Sequence, residues 1–321
     1  MDVRSVAIFG GSGKLGQRII DLVHERGVIA RVLVHRMPIE KVEDAYTVYG
    51  SITDPEAVGM VVEHADVVVS LATMKEDPET FFDVSIRGTF NVLEACRNAA
   101  VKQMILFSGD AAQGIWFYPQ PWPINEGHAL TAYPGYYAFS KVIEETMASQ
   151  YAIQYDLPIT ILRSSWVFQN DDLLSHFSLL DNVNPAEPGH GFGRVADDIM
   201  QLVEQGQERV AVQVDDNGDP YHRHIVHIDD VMQAFGLMLG NPTALYEDFN
   251  IASPAAFEYR VAGDYLSEKT GTPTIDIPCP GYHSFEIDTT KAKSMLGYRP
   301  RNDIFTMIDR ALQWREQNPR G

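Results

Sequence analysis

Residues 3–16 read VRSVAIFGGSGKLG, an apolar strand pattern that runs directly into a glycine-rich turn. The glycines have the spacing G-x-x-G-x-x-G, and an amphipathic helix pattern over 14–25 follows them. In a strand–turn–helix unit, one glycine permits the tight turn, one lets the backbone approach a pyrophosphate, and one lets the helix pack on the strand. The positive end of the helix then faces the phosphates. The stretch therefore predicts a dinucleotide-binding site, and a ligand-free glycine turn is the alternative. The candidate residues are Gly10, Ser12, Gly13, Lys14, Leu15 and Gly16.

The rest of the N-terminal half alternates between strand and helix patterns. Continuous apolar strands between amphipathic helices indicate a parallel sheet covered on both faces, and right-handed crossovers make such a sheet doubly wound. We therefore predict an α/β fold with a Rossmann-type, doubly wound parallel sheet. The predicted strands are 3–9, 29–34, 66–71, 104–108 and 159–162, and the predicted helices are 14–25, 85–100 and 137–155.

The pattern loosens after about residue 165, which predicts a smaller, mixed C-terminal lobe. Residues 170–195 are rich in Asn, Asp, Pro and Gly and are predicted to form loops. We predict a dinucleotide-binding domain over 1–168, with its sheet completed by parts of 220–255, and a mainly substrate-binding lobe over 169–321. The elements predicted after residue 168 are strands 210–214 and 225–228 and helices 231–239, 259–269 and 304–315.

Composition narrows the class of protein further. The chain has 321 residues, 45% hydrophobic and 21% charged, which is typical of a globular protein. Its formal net charge of −19 repels phosphate backbones and anionic lipids, so we expect no nucleic-acid or membrane partner. The two cysteines form no metal-binding or disulfide pattern, and neither a signal peptide nor a long apolar run is evident. We expect a cytoplasmic protein with a small-molecule substrate.

The end of the second strand bears on the choice of dinucleotide. NAD sites usually place a carboxylate there to hold the ribose 2′-hydroxyl, whereas this strand ends Val34-His35-Arg36. Arg36, with help from Lys14, suits a 2′-phosphate, which favours NADP over NAD. A solvated loop position is the alternative for Arg36.

Tyr137 and Lys141 are four residues apart and lie on one face of a predicted helix. A phenol is a poor acid or base at neutral pH, but a neighbouring ammonium and an oxidised nicotinamide both favour the phenolate. We therefore expect Lys141 to lower the pKa of Tyr137, so that the phenol exchanges a proton with a substrate oxygen. In an arbitrary protein the same spacing is an ordinary surface pair.

Four further segments add a family resemblance over nearly the whole chain. They are GTFNVLEA at 88–95, LRSSWV at 162–167, VHIDDV at 226–231, and DTTKA at 288–292 followed by LGYRP at 296–300. Together with the two motifs above, they resemble the extended short-chain dehydrogenase/reductase superfamily, which includes nucleotide-sugar epimerases and dehydratases. Their order and spacing are more specific than any one segment.

The resemblance implies roles for particular positions. It makes Tyr137 the acid/base and Lys141 the residue that holds the nicotinamide ribose. It also implies a homodimer in which helices 85–100 and 137–155 pair across a two-fold axis. The other cofactor positions that it implies are Ser51 and Ile52 near the adenine, Leu71, Ala72 and Thr73 along the ribose and nicotinamide path, and Ser164 and Trp166 beside the nicotinamide.

Two positions depart from the family pattern. The segment 107–112 reads FSGDAA, which puts Gly109 where a substrate-binding hydroxyl is expected. Strand alternation points Ser108 away from that place, and we keep Ser108 as a catalytic candidate and Asp110 as a substrate-binding one. Ser85 stands where the family usually has an asparagine. A missing hydroxyl weakens polarisation of a carbonyl and puts efficiency and reaction type in question.

The substrate side offers weaker indications. The resemblance suggests that Arg223 contacts a diphosphate, and a surface salt bridge is the alternative. Trp116 belongs to the aromatic stretch WFYPQPWP at 116–123, which either stacks on a sugar or packs on the protein itself. We interpret the histidines at 222, 224 and 227 as structural and expect no metal site.

Three functions fit these patterns. The first is an NAD(P)-dependent oxidoreductase that acts on a sugar, a sugar acid or a related carbonyl or alcohol. The alternative is a nucleotide-sugar epimerase or dehydratase with a tightly bound cofactor, and Arg223 favours it. The third is a non-catalytic NADP(H) sensor, which would leave Tyr137 and Lys141 without a role.

Overall fold

The computed structural model describes residues 1–37, 39, 45–121, 123–184, 192 and 195–319. In this part of the chain, seven parallel strands form the central sheet in the order β11-β6-β5-β4-β1-β2-β3. The predicted doubly wound α/β fold is confirmed. The strands of this sheet are β1 Ser5–Phe9, β2 Ile29–Val34, β3 Tyr46–Tyr49, β4 Val67–Ser70, β5 Gln103–Gly109, β6 Ile159–Ser164 and β11 Asp248–Ile251.

Apolar residues follow one another without interruption along these strands because both faces of the sheet are covered. Every residue of β1, β4, β5 and β6 is buried, as expected for parallel strands between two helical layers. Separate apolar clusters lie on the two faces, one around Ile19 and Phe235 and the other around Val58 and Leu93. The helices are α1 Lys14–Glu25, α2 Pro55–Val62, α3 Gly88–Ala99, α4 Tyr136–Tyr155, α5 Asp172–His176, α6 Leu179–Asn182, α7 Asp197–Glu204, α8 Ile228–Met238, α9 Tyr259–Thr270, α10 Thr290–Leu296 and α11 Ile304–Gln317.

A third apolar cluster, around Phe177 and Tyr259, forms the core of the C-terminal lobe. Short strand pairs surround it, β7 with β10, β9 with β12, and β8 with β13. These strands are β7 Trp166–Phe168, β8 Val210–Val214, β9 His222–Arg223, β10 Ile225–His227, β12 Phe257–Glu258 and β13 Thr274–Pro278.

The strand register brings distant loops together at one edge of the sheet. Phe9 pairs with Ser70, Ser70 with Leu106, and Gly109 with Ser164. The loops that follow β1, β4, β5 and β6 therefore leave the sheet side by side. Strand order reverses beside β1, and open α/β sheets bind ligands at such a switch point.

The structure differs from the sequence predictions in several places, and the following differences concern the sheet and the surroundings of the site. The helix predicted over 85–100 starts earlier, as a wide helical turn Phe82–Arg87 that continues into α3. The region predicted as loop over 170–195 contains α5 and α6, and 185–191, 193 and 194 of it lie outside the described residues. Strand β3 was not predicted, because it has no long apolar pattern of its own, and β11 was anticipated only as an unspecified part of 220–255 that completes the sheet.

None of the described helices combines the length and apolar character that crossing a membrane requires.

Candidate active site

The glycine turn after β1 has the geometry of a phosphate cradle. Gly10 has φ +90°, which favours glycine, and its carbonyl accepts a hydrogen bond of 3.1 Å from the Gly13 N–H. A Cβ at Gly16 would lie 2.2 Å from the Gly10 carbonyl oxygen, so only glycine lets α1 pack this close to the turn. No side chain caps the N-terminus of α1. Its free N–H groups and dipole therefore suit the pyrophosphate of a dinucleotide.

One cavity of about 1120 Å³ runs from this turn along the sheet edge. The structure brings the predicted cofactor positions together there, although they come from six separate segments. The predicted residues that line it are Gly10, Ser12, Gly13, Lys14, Leu15, Gly16, His35, Arg36, Ser51, Ile52, Leu71, Ala72, Thr73, Ser108, Asp110, Tyr137, Lys141, Ser164 and Trp166.

Two contacts fix the walls of the cavity. Ser85, at the family's asparagine position, is fully buried, and its hydroxyl accepts a hydrogen bond of 2.9 Å from the Met74 N–H in the loop after β4. The Asn91 side chain donates to the Ile52 carbonyl at 3.0 Å. The hydrogen bond from Met74 therefore lets Ser85 hold the loop that contains Thr73. A side chain as short as serine suffices for this supporting role.

Lys14 forms an ion pair with Asp172 of α5, so the glycine loop and the C-terminal lobe are linked across the cavity. This contact occupies the lysine that we assigned to a 2′-phosphate. Arg36 is exposed on the cavity wall, where a cofactor ribose is expected.

Tyr137 and Lys141 lie in the first turns of α4, with the Lys141 Nζ 5.7 Å from the Tyr137 ring centre. Lys141 is buried. Its Nζ lies 2.8 Å from the Glu144 carboxylate and donates to the Phe107 carbonyl at 3.2 Å. The second oxygen of Glu144 is buried and has no hydrogen-bond partner among the described residues. The ammonium of Lys141 is thus largely compensated by a carboxylate one turn further along the helix.

This arrangement corrects one expectation. We predicted a lowered pKa for Tyr137, but burial raises its pKa, and the carboxylates of Asp110 and Glu144 act in the same direction. The pairing with Glu144 explains why Lys141 does not offset these effects. Sequence spacing placed the ammonium correctly, but Glu144 was not identified from the sequence as its counter-ion.

The end of β5 places three consecutive residues around the phenol. A Cβ at Gly109 would lie 3.3 Å from the Tyr137 hydroxyl oxygen. A side chain at 109 would therefore press on that hydroxyl, and glycine leaves the space open. Ser108 lines the cavity, and its buried hydroxyl has no partner among the described residues. The Asp110 carboxylate also lines the cavity and lies 2.8 Å from the Ser165 hydroxyl.

Arg223 and Trp116 do not line the described cavity and instead pack against its wall. The guanidinium lies between the ring of Trp166 at 3.8 Å and that of Trp116 at 4.5 Å, and it donates to the Tyr259 hydroxyl at 3.3 Å. Its Nε is buried without a hydrogen-bond partner among the described residues. Arg223 therefore forms no surface salt bridge. Trp116 stacks on Tyr282 in the lobe core, which agrees with the alternative in which the aromatic stretch packs on the protein itself.

The three histidines have partners in the protein. His222 lies 3.0 Å from Glu258, His224 lies 3.0 Å from the Ser253 carbonyl, and His227 accepts from the Asp229 N–H at the start of α8. Within the described ranges, no group of three or more His, Cys, Asp or Glu side chains has an arrangement that holds a metal ion.

Sequence reasoning missed several residues of the site. Glu76 accepts from the Tyr136 N–H at 2.9 Å and so caps α4, and Lys75 lies 5.6 Å from the Tyr137 ring centre. Both come from the loop after β4, and no local pattern connects that loop with α4. Glu144 left a signal, because it is a charged residue on the helix face that Tyr137 and Lys141 share.

Comparisons with known proteins agree with this geometry. The model of the NAD-dependent epimerase/dehydratase family matches residues 6–252. The fold and the glycine cradle define a dinucleotide-binding protein of the Rossmann type. More particularly, the chain belongs to the NAD-dependent epimerase/dehydratase family.

Individual relatives are distant but extend over the whole chain. The chain is 25% identical to the UDP-glucose 4-epimerase of Lactobacillus helveticus over 98% of both proteins. A short-chain dehydrogenase/reductase structure from Agrobacterium tumefaciens with bound NAD has a TM-score of 0.86 at 20% identity, covering 98% of both chains. The Thermotoga maritima UDP-glucose 4-epimerase with UDP-glucose has a TM-score of 0.74 at 21% identity, covering 98% of this chain and 99% of that one. At these identities, the structural likenesses show the shared fold.

Proposed function

We propose that this protein is a nucleotide-sugar epimerase or dehydratase that acts on a UDP-hexose, with Tyr137 as the acid/base. This was the alternative in the sequence analysis. The family membership and the names of the relatives favour it over a simple oxidoreductase. A sensor without turnover is disfavoured, because Tyr137 and Lys141 open onto the same cavity as the cofactor cradle.

The observation that supports a nucleotide sugar most directly is the environment of Arg223. A buried guanidinium with an unused N–H is costly unless it meets an anion. Its two indole neighbours cover both faces of the guanidinium, so an anion reaches its edge only if the wall formed by Trp166 moves. A diphosphate beside Trp166 would use that N–H, and a free sugar has no comparable charge to offer.

The size of the cavity supports a second ligand beside the cofactor. Pockets for one drug-sized ligand have volumes of roughly 300–1,000 Å³. The cavity here exceeds that range and extends from the glycine cradle to Trp166 and His176. There is room for a sugar over Tyr137.

Each residue around the cavity then has a separate role in the proposed reaction. When bound, NAD supplies a reversible hydride acceptor. Tyr137 exchanges a proton with a sugar hydroxyl, and Gly109 leaves that hydroxyl room to approach the phenol oxygen. Lys141 orients the cofactor ribose, and the loop held by Ser85 forms the part of the cavity wall next to the start of α4. Roles for Ser108 and Asp110 in holding the sugar remain part of this proposal.

We propose NAD as the cofactor of turnover, because the family is NAD-dependent and solved relatives contain NAD. The preference for NADP stays a prediction that rests on Arg36. Calorimetric titration with NAD and NADP, with wild type beside Arg36→Ala, decides between them. Tighter binding of NADP that is lost in the variant would support Arg36 as a 2′-phosphate ligand.

We also propose that the protein forms a homodimer through α3 and α4. Phe90 and Phe139 are each nearly half exposed on these helices, and Ile153 is 80% exposed. Such apolar exposure on two neighbouring helices is typical of an interface. Analytical ultracentrifugation should show a dimer for the wild type and a monomer for the double variant Phe90→Glu/Phe139→Glu.

The reaction class is tested with a panel of UDP-sugars, free sugars and sugar acids. The purified protein is incubated with NAD, and NMR detects products while absorbance detects NADH. Conversion of a UDP-sugar without net NADH supports the proposal. Net NADH formation with a free sugar or sugar acid would establish the oxidoreductase instead, and binding without any conversion would favour the sensor.

A further inference from the structure

A carboxyl group lines the cavity close to the candidate acid/base. Asp110 comes directly after β5, and its charge acts on both Tyr137 and Tyr133. Holding a sugar hydroxyl at this place requires only a neutral hydrogen-bonding group. The presence of a carboxyl group therefore needs an explanation of its own.

The contacts of Ser165 show that the Asp110 carboxyl group shares its hydrogen-bond donor with a second acceptor. The Ser165 Oγ lies 2.8 Å from Oδ2 of Asp110 and 2.7 Å from the His224 carbonyl oxygen. A serine hydroxyl has one hydrogen, and a carbonyl oxygen only accepts. Ser165 therefore cannot donate fully to both acceptors, and the second contact gains a hydrogen only when the Asp110 carboxyl group is protonated. An ionised Asp110 leaves one of the two contacts without a hydrogen.

The surroundings make Asp110 a group that titrates near neutral pH. Burial raises the pKa of Asp110 to about 6, although the Ser165 hydrogen bond and the charge of Arg223 act in the opposite direction. Burial raises the pKa of Tyr133 and of Tyr137, so both phenols stay neutral over this range.

The neighbouring bases do not titrate in this range. Burial lowers the pKa of His176 to about 3, with the charge of Arg223 as a second cause, and burial lowers the pKa of His224 to about 4. The guanidinium of Arg223 stays cationic. Burial also raises the pKa of Glu144, but Glu144 does not line the described cavity, so we assign a change of charge near pH 6 on this part of the wall to Asp110.

We propose that Asp110 selects substrates by the charge of the sugar that lies beside Tyr137. A sugar hydroxyl there can donate to the carboxyl group in either protonation state. A sugar carboxylate is accepted while Asp110 carries its proton and is repelled once Asp110 is ionised. The preferred substrate class at neutral and alkaline pH is thus a neutral nucleotide hexose, and a nucleotide uronic acid competes only in mild acid. This inference rests on the proposed function.

The test measures binding of UDP-glucose and UDP-glucuronate to the NAD-loaded protein by calorimetry, at about pH 5 and about pH 8. We expect the preference for UDP-glucose to increase on the order of tenfold between the two, since like charges a few ångströms apart repel by more than ~1 kcal/mol. In Asp110→Asn, which keeps the shape and removes the charge, the preference should not change with pH. UDP-glucuronate should then bind about tenfold tighter than to wild type at the higher pH.

The control is Asp216→Asn, which removes the same charge from an exposed position. It should retain the pH dependence of the wild type. A pH-dependent preference that persists in Asp110→Asn would overturn the inference, as would a wild-type preference that is independent of pH while both sugars bind. Failure of the proposed function looks different, because neither UDP-sugar then binds at either pH, and the inference falls with it.

Discussion

Replacing Gly16 with alanine should weaken cofactor binding more than replacing any other glycine of the loop with alanine. The new Cβ would lie 2.2 Å from the Gly10 carbonyl oxygen and 2.6 Å from the Gly11 Cα. Ordinary van der Waals contact begins at 3.4 Å, whereas the distance to the Gly10 oxygen would be 2.2 Å. The turn and α1 must therefore move apart by about 1.2 Å. Both obstacles are backbone atoms, and no side-chain rotation relieves them.

The separation acts on stability and on binding. Overpacking of this kind costs about 1–3 kcal/mol of the free energy of unfolding. The N–H groups that face the pyrophosphate move by a similar distance, and a misplacement of about 1 Å at an active site can cost on the order of 100-fold in rate. We expect at least about a tenfold loss of NAD affinity, or ~1.4 kcal/mol.

Calorimetric titration with NAD and chemical unfolding without it measure the two effects separately. The matched control is Gly59→Ala in α2, where the added methyl meets nothing within 4 Å. That variant should gain about 0.5–1 kcal/mol through helix propensity and bind NAD normally. If Gly16→Ala binds NAD as tightly as the wild type, the cradle that we describe is not the dinucleotide site.

Three further outcomes are expected. Glu144→Gln removes a carboxylate that raises the pKa of Tyr137. The limb of the pH–rate profile that reports the phenol should therefore move to lower pH. A profile that does not move would show that Glu144 has only a structural role. Asp230→Ala should cost about 3 kcal/mol or more in chemical unfolding, because Asp230 is buried and accepts from the Arg301 N–H, the Asn302 N–H and the Asn302 amide. Asp303→Ala removes only the cap of α11 and should cost about 1 kcal/mol; equal losses in these two variants would contradict the argument from burial.

Local periodicity predicted the elements whose form depends on their own sequence. The bounds of α1 and β2 agree with the prediction residue for residue, because an apolar stripe and an apolar run are local patterns. The bounds of strand β11 were beyond such reasoning, which indicated only that parts of 220–255 complete the sheet. Its place at the sheet edge comes from pairing with β6, almost ninety residues earlier in the chain.

In the candidate site too, local motifs could be predicted from the sequence, whereas features that depend on tertiary packing could not. The cradle and the Tyr137–Lys141 pair are short motifs, and sequence located both. The counter-ion Glu144 and the raised pKa of Tyr137 depend on burial, which no spacing reveals. For Arg223, the sequence left a diphosphate contact and a surface salt bridge open, and only the packing shows its guanidinium between two indole rings.

The most direct test of the account is interconversion of UDP-glucose and UDP-galactose by the wild type, by Tyr137→Phe and by Tyr136→Phe. Tyr136 is the neighbouring residue on the same helix, with its side chain at the surface. The account predicts conversion without net NADH in the wild type and in Tyr136→Phe, and a loss on the order of 100-fold or more in Tyr137→Phe with NAD binding retained. Conversion by Tyr137→Phe at the rate of the wild type would show that the chemistry takes place without this phenol and would contradict the account.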